Sequence, residues 1–140
     1  IMEEIVAKEH RLPTVLIVED EQPLLNVIRD KLRTKGFDVV TSRSVKQAVD
    51  YINEVDNIDL IWLDHYLEGQ ENGLDLVMYL KQNTHSQAHI PIFLISNTSY
   101  PEKYQSYLAL GVDKYYTKSN YSLNQIVDDV RTFFEDQNGK

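Results

Sequence analysis

A chain of 140 residues fits one domain and leaves little for a second. At 42% hydrophobic and 26% charged its composition is that of an ordinary globular domain, and with no cysteine it excludes disulfides, thiolate zinc sites and thiol nucleophiles. The formal net charge of −8 argues against non-specific nucleic-acid binding, which depends on Lys and Arg neutralising phosphates, and no apolar run nears the roughly 18 residues of a membrane span.

Ile1 to Arg11 mixes Glu, Lys and His with short apolar pairs, unlike a signal peptide, so the cytoplasm is the expected compartment. Residues 1–13 read as a lead segment, 14–136 as one domain and 137–140 as a tail. Val15-Leu16-Ile17-Val18 is too short and too β-branched for a helix and predicts a buried strand. A helix follows Pro23, with Leu24, Leu25, Ile28 and Leu32 at helical spacing and Gly36 as its stop. Val39-Val40 predicts the second strand. The next helix carries Val45, Ala48, Val49 and Ile52 and opens with Ser44 and Gln47 at capping-box spacing.

Leu60-Ile61-Trp62-Leu63 predicts the third strand, and Leu74, Val77, Met78 and Leu80 the helix after it. Ile92-Phe93-Leu94-Ile95 is the fourth strand. Its helix carries Tyr104, Tyr107 and Leu108, opens at Ser99 and Glu102 and stops at Gly111. Tyr115-Tyr116 is the fifth strand, and Leu123, Ile126, Val127, Val130 and Phe134 form the last helix, opened by Ser122 and Gln125. Strands and helices that alternate in this way imply right-handed crossovers and a parallel sheet covered on both faces. The expected fold is an α/β three-layer sandwich with five helices and the flavodoxin-like strand order 2-1-3-4-5.

Open parallel sheets bind ligands beyond the carboxyl ends of their strands. Glu19-Asp20-Glu21 follows strand one, Asp64 follows strand three, Ser96 and Asn97 follow strand four, and Lys118 follows strand five. Acids brought together on adjacent strands repel unless a cation compensates, and hard oxygen ligands without His or Cys suit Mg²⁺. A lysine and a hydroxyl beside them could meet phosphoryl oxygens while a carboxylate attacks in line, with Asp64 the nucleophile because it closes the central strand alone. The bland readings are acids favouring a helix N-terminus for Glu19-Asp20-Glu21, a surface lysine for Lys118, and a turn residue for Ser96. His10, His65, His85 and His89 show no ligand spacing and are expected on the surface, with His65 pointing away from Asp64 because strand neighbours alternate faces.

The pieces VLIVEDE (Val15 to Glu21), DLIWLD (Asp59 to Asp64), PIFLIS (Pro91 to Ser96) and GVDKYYTK (Gly111 to Lys118) occur in this order. Together they resemble the response-regulator receiver family over about Pro13 to Phe134. The resemblance implies that Asp64 is the phosphorylation site, that Asp20 binds Mg²⁺ with help from Glu19, and that the Tyr66 carbonyl is a further ligand. It makes Ser96 the switch hydroxyl, Tyr115 the switch aromatic and Lys118 the lysine on the phosphoryl group. It also implies a sensor histidine kinase or a histidine phosphotransfer protein as donor, and a protein partner on the helix 4–strand 5–helix 5 face, with a phosphorylation-dependent homodimer as one form of output. No direct contact with nucleic acid or membrane is expected.

Several residues depart from the family pattern. Glu68 stands where a proline is usual, and Asn72 where a glycine is usual, with Gly73 one residue later, so the loop after Asp64 reads as one residue longer. Ser119 replaces a proline that usually follows the lysine through a cis bond, and Asn97 replaces a small residue. These departures motivate one alternative, a pseudo-receiver that binds partners without phosphorylation. Another is the N-terminal fragment of a longer regulator. Without such an extension, output would run through protein contacts or onward phosphotransfer. A flavoprotein is disfavoured because Glu19-Asp20-Glu21 would repel a flavin phosphate. An aspartyl phosphatase is disfavoured because Tyr66 stands where a second acid is usual.

Overall fold

The computed structural model describes residues 11–55, 57–65, 72–82, 86–97 and 101–138. The strands are β1 (Thr14–Val18), β2 (Asp38–Ser42), β3 (Leu60–Asp64), β4 (Ile92–Ser96) and β5 (Lys114–Thr117). The helices are α1 (Gln22–Thr34), α2 (Val45–Glu54), α3 (Gly73–Gln82), α4 (Pro101–Ala109) and α5 (Leu123–Asn138), with a 3₁₀ turn at Ser86–His89. All pairings are parallel, as the alternation of elements predicts, and the order is β2-β1-β3-β4-β5, the flavodoxin-like order expected.

Alternation of side chains along each strand sorts the core into two layers. Val15, Ile17, Leu60, Trp62, Phe93 and Ile95 face α1 and α5, where they meet Ile28, Leu32, Ile126 and Val130. Leu16, Val18, Ile61, Leu63 and Leu94 face the other helices, where they meet Ala48, Ile52, Val77, Leu80 and Tyr107. Each fully buried aliphatic side chain contributes about 1.5–3 kcal/mol, so the three central strands dominate the stability. The edge strand β2 departs from the expectation of continuous burial: Asp38 is exposed and Val39 and Val40 are half-buried.

The helix boundaries follow local chemistry. Ser122 Oγ accepts from the Gln125 N–H and Gln125 Oε1 accepts from the Ser122 N–H, a complete capping box at α5. At α2 the Ser44 cap is present, but Gln47 reaches past it to the Arg43 N–H. Gly36 and Gly111, at φ +95° and +94°, end α1 and α4 in turns where Phe37 and Val112 donate back to Leu32 and Tyr107. Two apolar assignments are corrected. In α3 the buried face is Gly73, Leu76, Val77 and Leu80, while Met78 is exposed; in α4 Tyr107 is buried, while Tyr104 and Leu108 are exposed. The expected start of α4 at Ser99 and the lead segment up to His10 lie outside the described residues.

Candidate functional site

The register of the sheet builds the site. Val18 at the end of β1 pairs with Leu63, so Glu19 emerges beside Asp64, the last residue of β3. Asp64 pairs with Ile95, and Ser96 with Thr117, which brings Lys118 to the same end of the sheet. The Lys118 N–H donates to the Ser96 carbonyl at 2.8 Å, fixing the backbone from which the lysine reaches back.

Lys118 Nζ lies 3.1 Å from Asp64 Oδ2 and 3.9 Å from Glu19 Oε1. Glu19, Asp20 and Asp64 offer carboxylate oxygens that all lie within 4.8 Å of one another. Glu19 is 1% exposed and Asp64 4%, while Asp20 is half-buried at the mouth. Burial, then a hydrogen bond with Asp64, then the charge of Asp64 push the Glu19 carboxyl up to about 9, against the Glu21 N–H and Lys118. In the metal-free chain Glu19 therefore carries a proton at neutral pH, held against Asp64. The donor set fits a hard divalent cation: three carboxylates, oxygen only, close enough for one ion to bridge. That proton occupies the electrostatic role a cation would take.

Of the residues expected at the site, the structure brings Glu19, Asp20, Asp64 and Lys118 together. Ser96 is fully buried at the end of β4, one residue past the partner of Asp64. Tyr115 is half-buried on β5, its ring 5.9 Å from Tyr107 and 5.3 Å from Tyr104. Tyr66 and Glu68 lie outside the described residues. The Lys118–Ser119 bond is trans, so Ser119 is accommodated without the rare isomer. Asn97 is exposed.

Gly73 explains the displaced glycine. A Cβ there would sit 2.9 Å from the Asp64 carbonyl oxygen and 3.1 Å from the His65 Cα, while its N–H donates to the His65 carbonyl at 2.9 Å. A glycine at position 73 lets α3 start this close to the end of β3. Gly73→Ala is expected to cost about 1–3 kcal/mol by overpacking against backbone that has no soft direction to yield. Urea unfolding of the two chains measures it.

Two groups escaped the sequence reading. His65 points away from Asp64 as alternation requires, yet it is not on the surface: it is 5% exposed and its Nδ1 is hydrogen-bonded to the Tyr107 hydroxyl. His89 is exposed as expected; His10 and His85 lie outside the described residues. Arg43, from the turn after β2, donates Nε and Nη2 to the Asp20 carbonyl at 3.1 and 2.8 Å and so fixes the outermost acid. No local sequence signal marks either contact, because both join residues far apart in the chain.

A doubly wound parallel sheet with acids following β1 and ending β3 and a lysine after β5 gathers its charged groups at the carboxyl end of the strands, where such sheets bind ligands. The family model "Response regulator receiver domain" matches residues 15–131. The transcriptional regulatory protein CpxR of Escherichia coli (strain K12) is 30% identical over 104 residues, which are 74% of this chain and 42% of CpxR. The phosphate regulon transcriptional regulatory protein PhoB of the same strain is 32% identical over 104 residues, 74% of this chain and 44% of PhoB. The phosphorylated cyanobacterial phytochrome response regulator RcpA superposes with a TM-score of 0.78 at 26% identity, covering 88% of this chain and 94% of that one. This chain belongs to the response-regulator receiver family, the receiving modules of two-component signalling. It spans less than half the length of the curated relatives it matches. Among the described residues no helix is long and apolar enough to cross a membrane.

Proposed function

We propose that this receiver accepts a phosphoryl group onto Asp64 from a phosphohistidine, carried by a sensor histidine kinase or a histidine phosphotransfer protein. The observation that carries the reading is the Lys118 ammonium 3.1 Å from Asp64 Oδ2, beside the Glu19, Asp20 and Asp64 carboxylates. A carboxylate oxygen of Asp64 bonds to phosphorus as the phosphorus–nitrogen bond of the donor breaks, and the electron pair leaves with the imidazole. Lys118 pairs with a phosphoryl oxygen and the Ser96 hydroxyl donates to another. Glu19, Asp20 and Asp64 would hold Mg²⁺, with the Tyr66 carbonyl as a further oxygen; when bound, the ion supplies positive charge to the phosphoryl oxygens. The same groups would assist hydrolysis of the acyl phosphate by water.

Phosphorylation then draws Ser96 and Tyr115 inward and biases the α4–β5–α5 face toward a protein partner or a second copy. The cytoplasm, where kinases of this kind deliver their phosphoryl groups, is the compartment that suits the reading. The limited coverage of CpxR and PhoB favours a second reading of output: the chain acts as the receiver part of a longer regulator.

Incubation with acetyl phosphate, with and without Mg²⁺, tests the proposal by intact mass. One added phosphoryl group, dependent on Mg²⁺, is expected. An unchanged mass under both conditions favours the pseudo-receiver instead.

A further inference from the structure

His65 follows the acceptor directly, and its main chain is gripped on both sides. Its N–H donates to the Ile95 carbonyl at 3.1 Å, and its carbonyl accepts from the Gly73 N–H at 2.9 Å. The imidazole turns to the opposite face, where the Tyr107 hydroxyl bonds to Nδ1 and the two rings meet edge-on, 5.4 Å apart at 86°. Tyr107 is 1% exposed and belongs to the last turns of α4. Its ring packs on Tyr115, and Tyr115 packs on Tyr104, which is 40% exposed. A line of contacts thus runs from the residue beside Asp64 to the outer surface of α4.

Apolar contacts in such a layer tolerate sliding, since they have no direction. A buried hydrogen bond does not: it weakens steeply with angle and leaves costly unpaired groups when broken. A polar pair set between β3 and α4 in an otherwise apolar cluster therefore gives that helix one discrete position against the acceptor strand. We propose that Tyr107 is a positioning residue that, through His65, couples the backbone next to Asp64 to the placement of α4, a route that starts at His65 rather than at Ser96. The inference rests on the phospho-acceptor reading above. Loading of Asp64 moves the strand end, and the His65–Tyr107 bond passes that movement to α4.

The test uses the whole chain, labelled with ¹⁵N, loaded with Mg²⁺ and beryllofluoride as a phosphoryl mimic. Bound fluoride signals read loading, and the amides of Tyr104 and Leu108 read α4. Tyr107→Phe removes one hydroxyl and keeps the ring. The double variant Tyr107→Phe with His65→Leu removes both polar groups of that bond. Both variants are expected to load like the native chain, while the loading-induced shifts of the α4 amides fall about fivefold or more, the range of ordinary site-to-site coupling. A mere packing role would change stability and leave those shifts at full size. Full-size shifts in either loaded variant overturn the coupling, as does a native chain that loads without shifts in α4. A native chain that fails to load overturns the acceptor reading itself, and the coupling with it.

Discussion

Asp64→Asn is expected to abolish phosphoryl labelling while leaving the fold intact. The substitution keeps size and hydrogen bonding but replaces a carboxylate by a carboxamide, whose nitrogen lone pair is delocalised and whose oxygen is a poor nucleophile. It also removes the charge that Lys118 Nζ meets at 3.1 Å and that pushes the Glu19 carboxyl upward. The metal-free variant should therefore be no more stable than the native chain near pH 7, because Glu19 is already neutral there and the Lys118 pair is lost with no repulsion relieved. Intact mass after acetyl phosphate treatment and urea unfolding measure the two halves separately. Undiminished labelling would place the acceptor elsewhere and remove the basis of the proposed chemistry.

The second large effect concerns Glu19 and protons. Its carboxyl ionises at 4.5 in the ordinary case and at about 9 in the folded chain, chiefly because of burial. Between those values the folded state holds a proton that the unfolded state has released. The stability contributed by this group is thus fully present below pH 4.5 and is lost as pH rises toward 9, by on the order of a few kcal/mol across the window. Binding of Mg²⁺ to the three carboxylates displaces that proton. Affinity for the ion should rise with pH through the same window, by up to about tenfold per unit, and each binding event near pH 7 should release close to one proton. Calorimetry in buffers of different ionisation enthalpy reads the release directly. Glu19→Gln keeps the shape and a hydrogen-bond donor toward Asp64 but has no proton to lose. It should flatten both pH profiles and weaken Mg²⁺ by about 10- to 100-fold. A Mg²⁺ affinity independent of pH in the native chain would show that Glu19 does not titrate as the geometry requires.

Much of the fold could be read along the chain, for specific reasons. Runs such as Leu60-Ile61-Trp62-Leu63 are apolar on both sides of the strand, which only a sheet covered on both faces explains. Helix ends were legible at Ser44, Ser122, Gly36 and Gly111, because caps act over three or four residues. The acids and the lysine were legible because strand ends in a parallel sheet converge whatever the intervening sequence. Edge and surface positions were read less well. Met78, Tyr104 and Leu108 look apolar in the sequence yet face outward, since helical period alone does not choose between adjacent candidate stripes.

The sequence by itself determined the order of elements, the parallel sheet and the identity of the groups at its carboxyl end, because these depend on periodicity and local chemistry within single segments. Only the tertiary structure decided that His65 is buried against Tyr107, that Arg43 grips the Asp20 carbonyl, and that Gly73 must lack a side chain where α3 meets Asp64. Each of these depends on distances between segments 23 or more residues apart, or on a contact across a loop whose length hides the register. Such distances arise from packing, which no local pattern encodes.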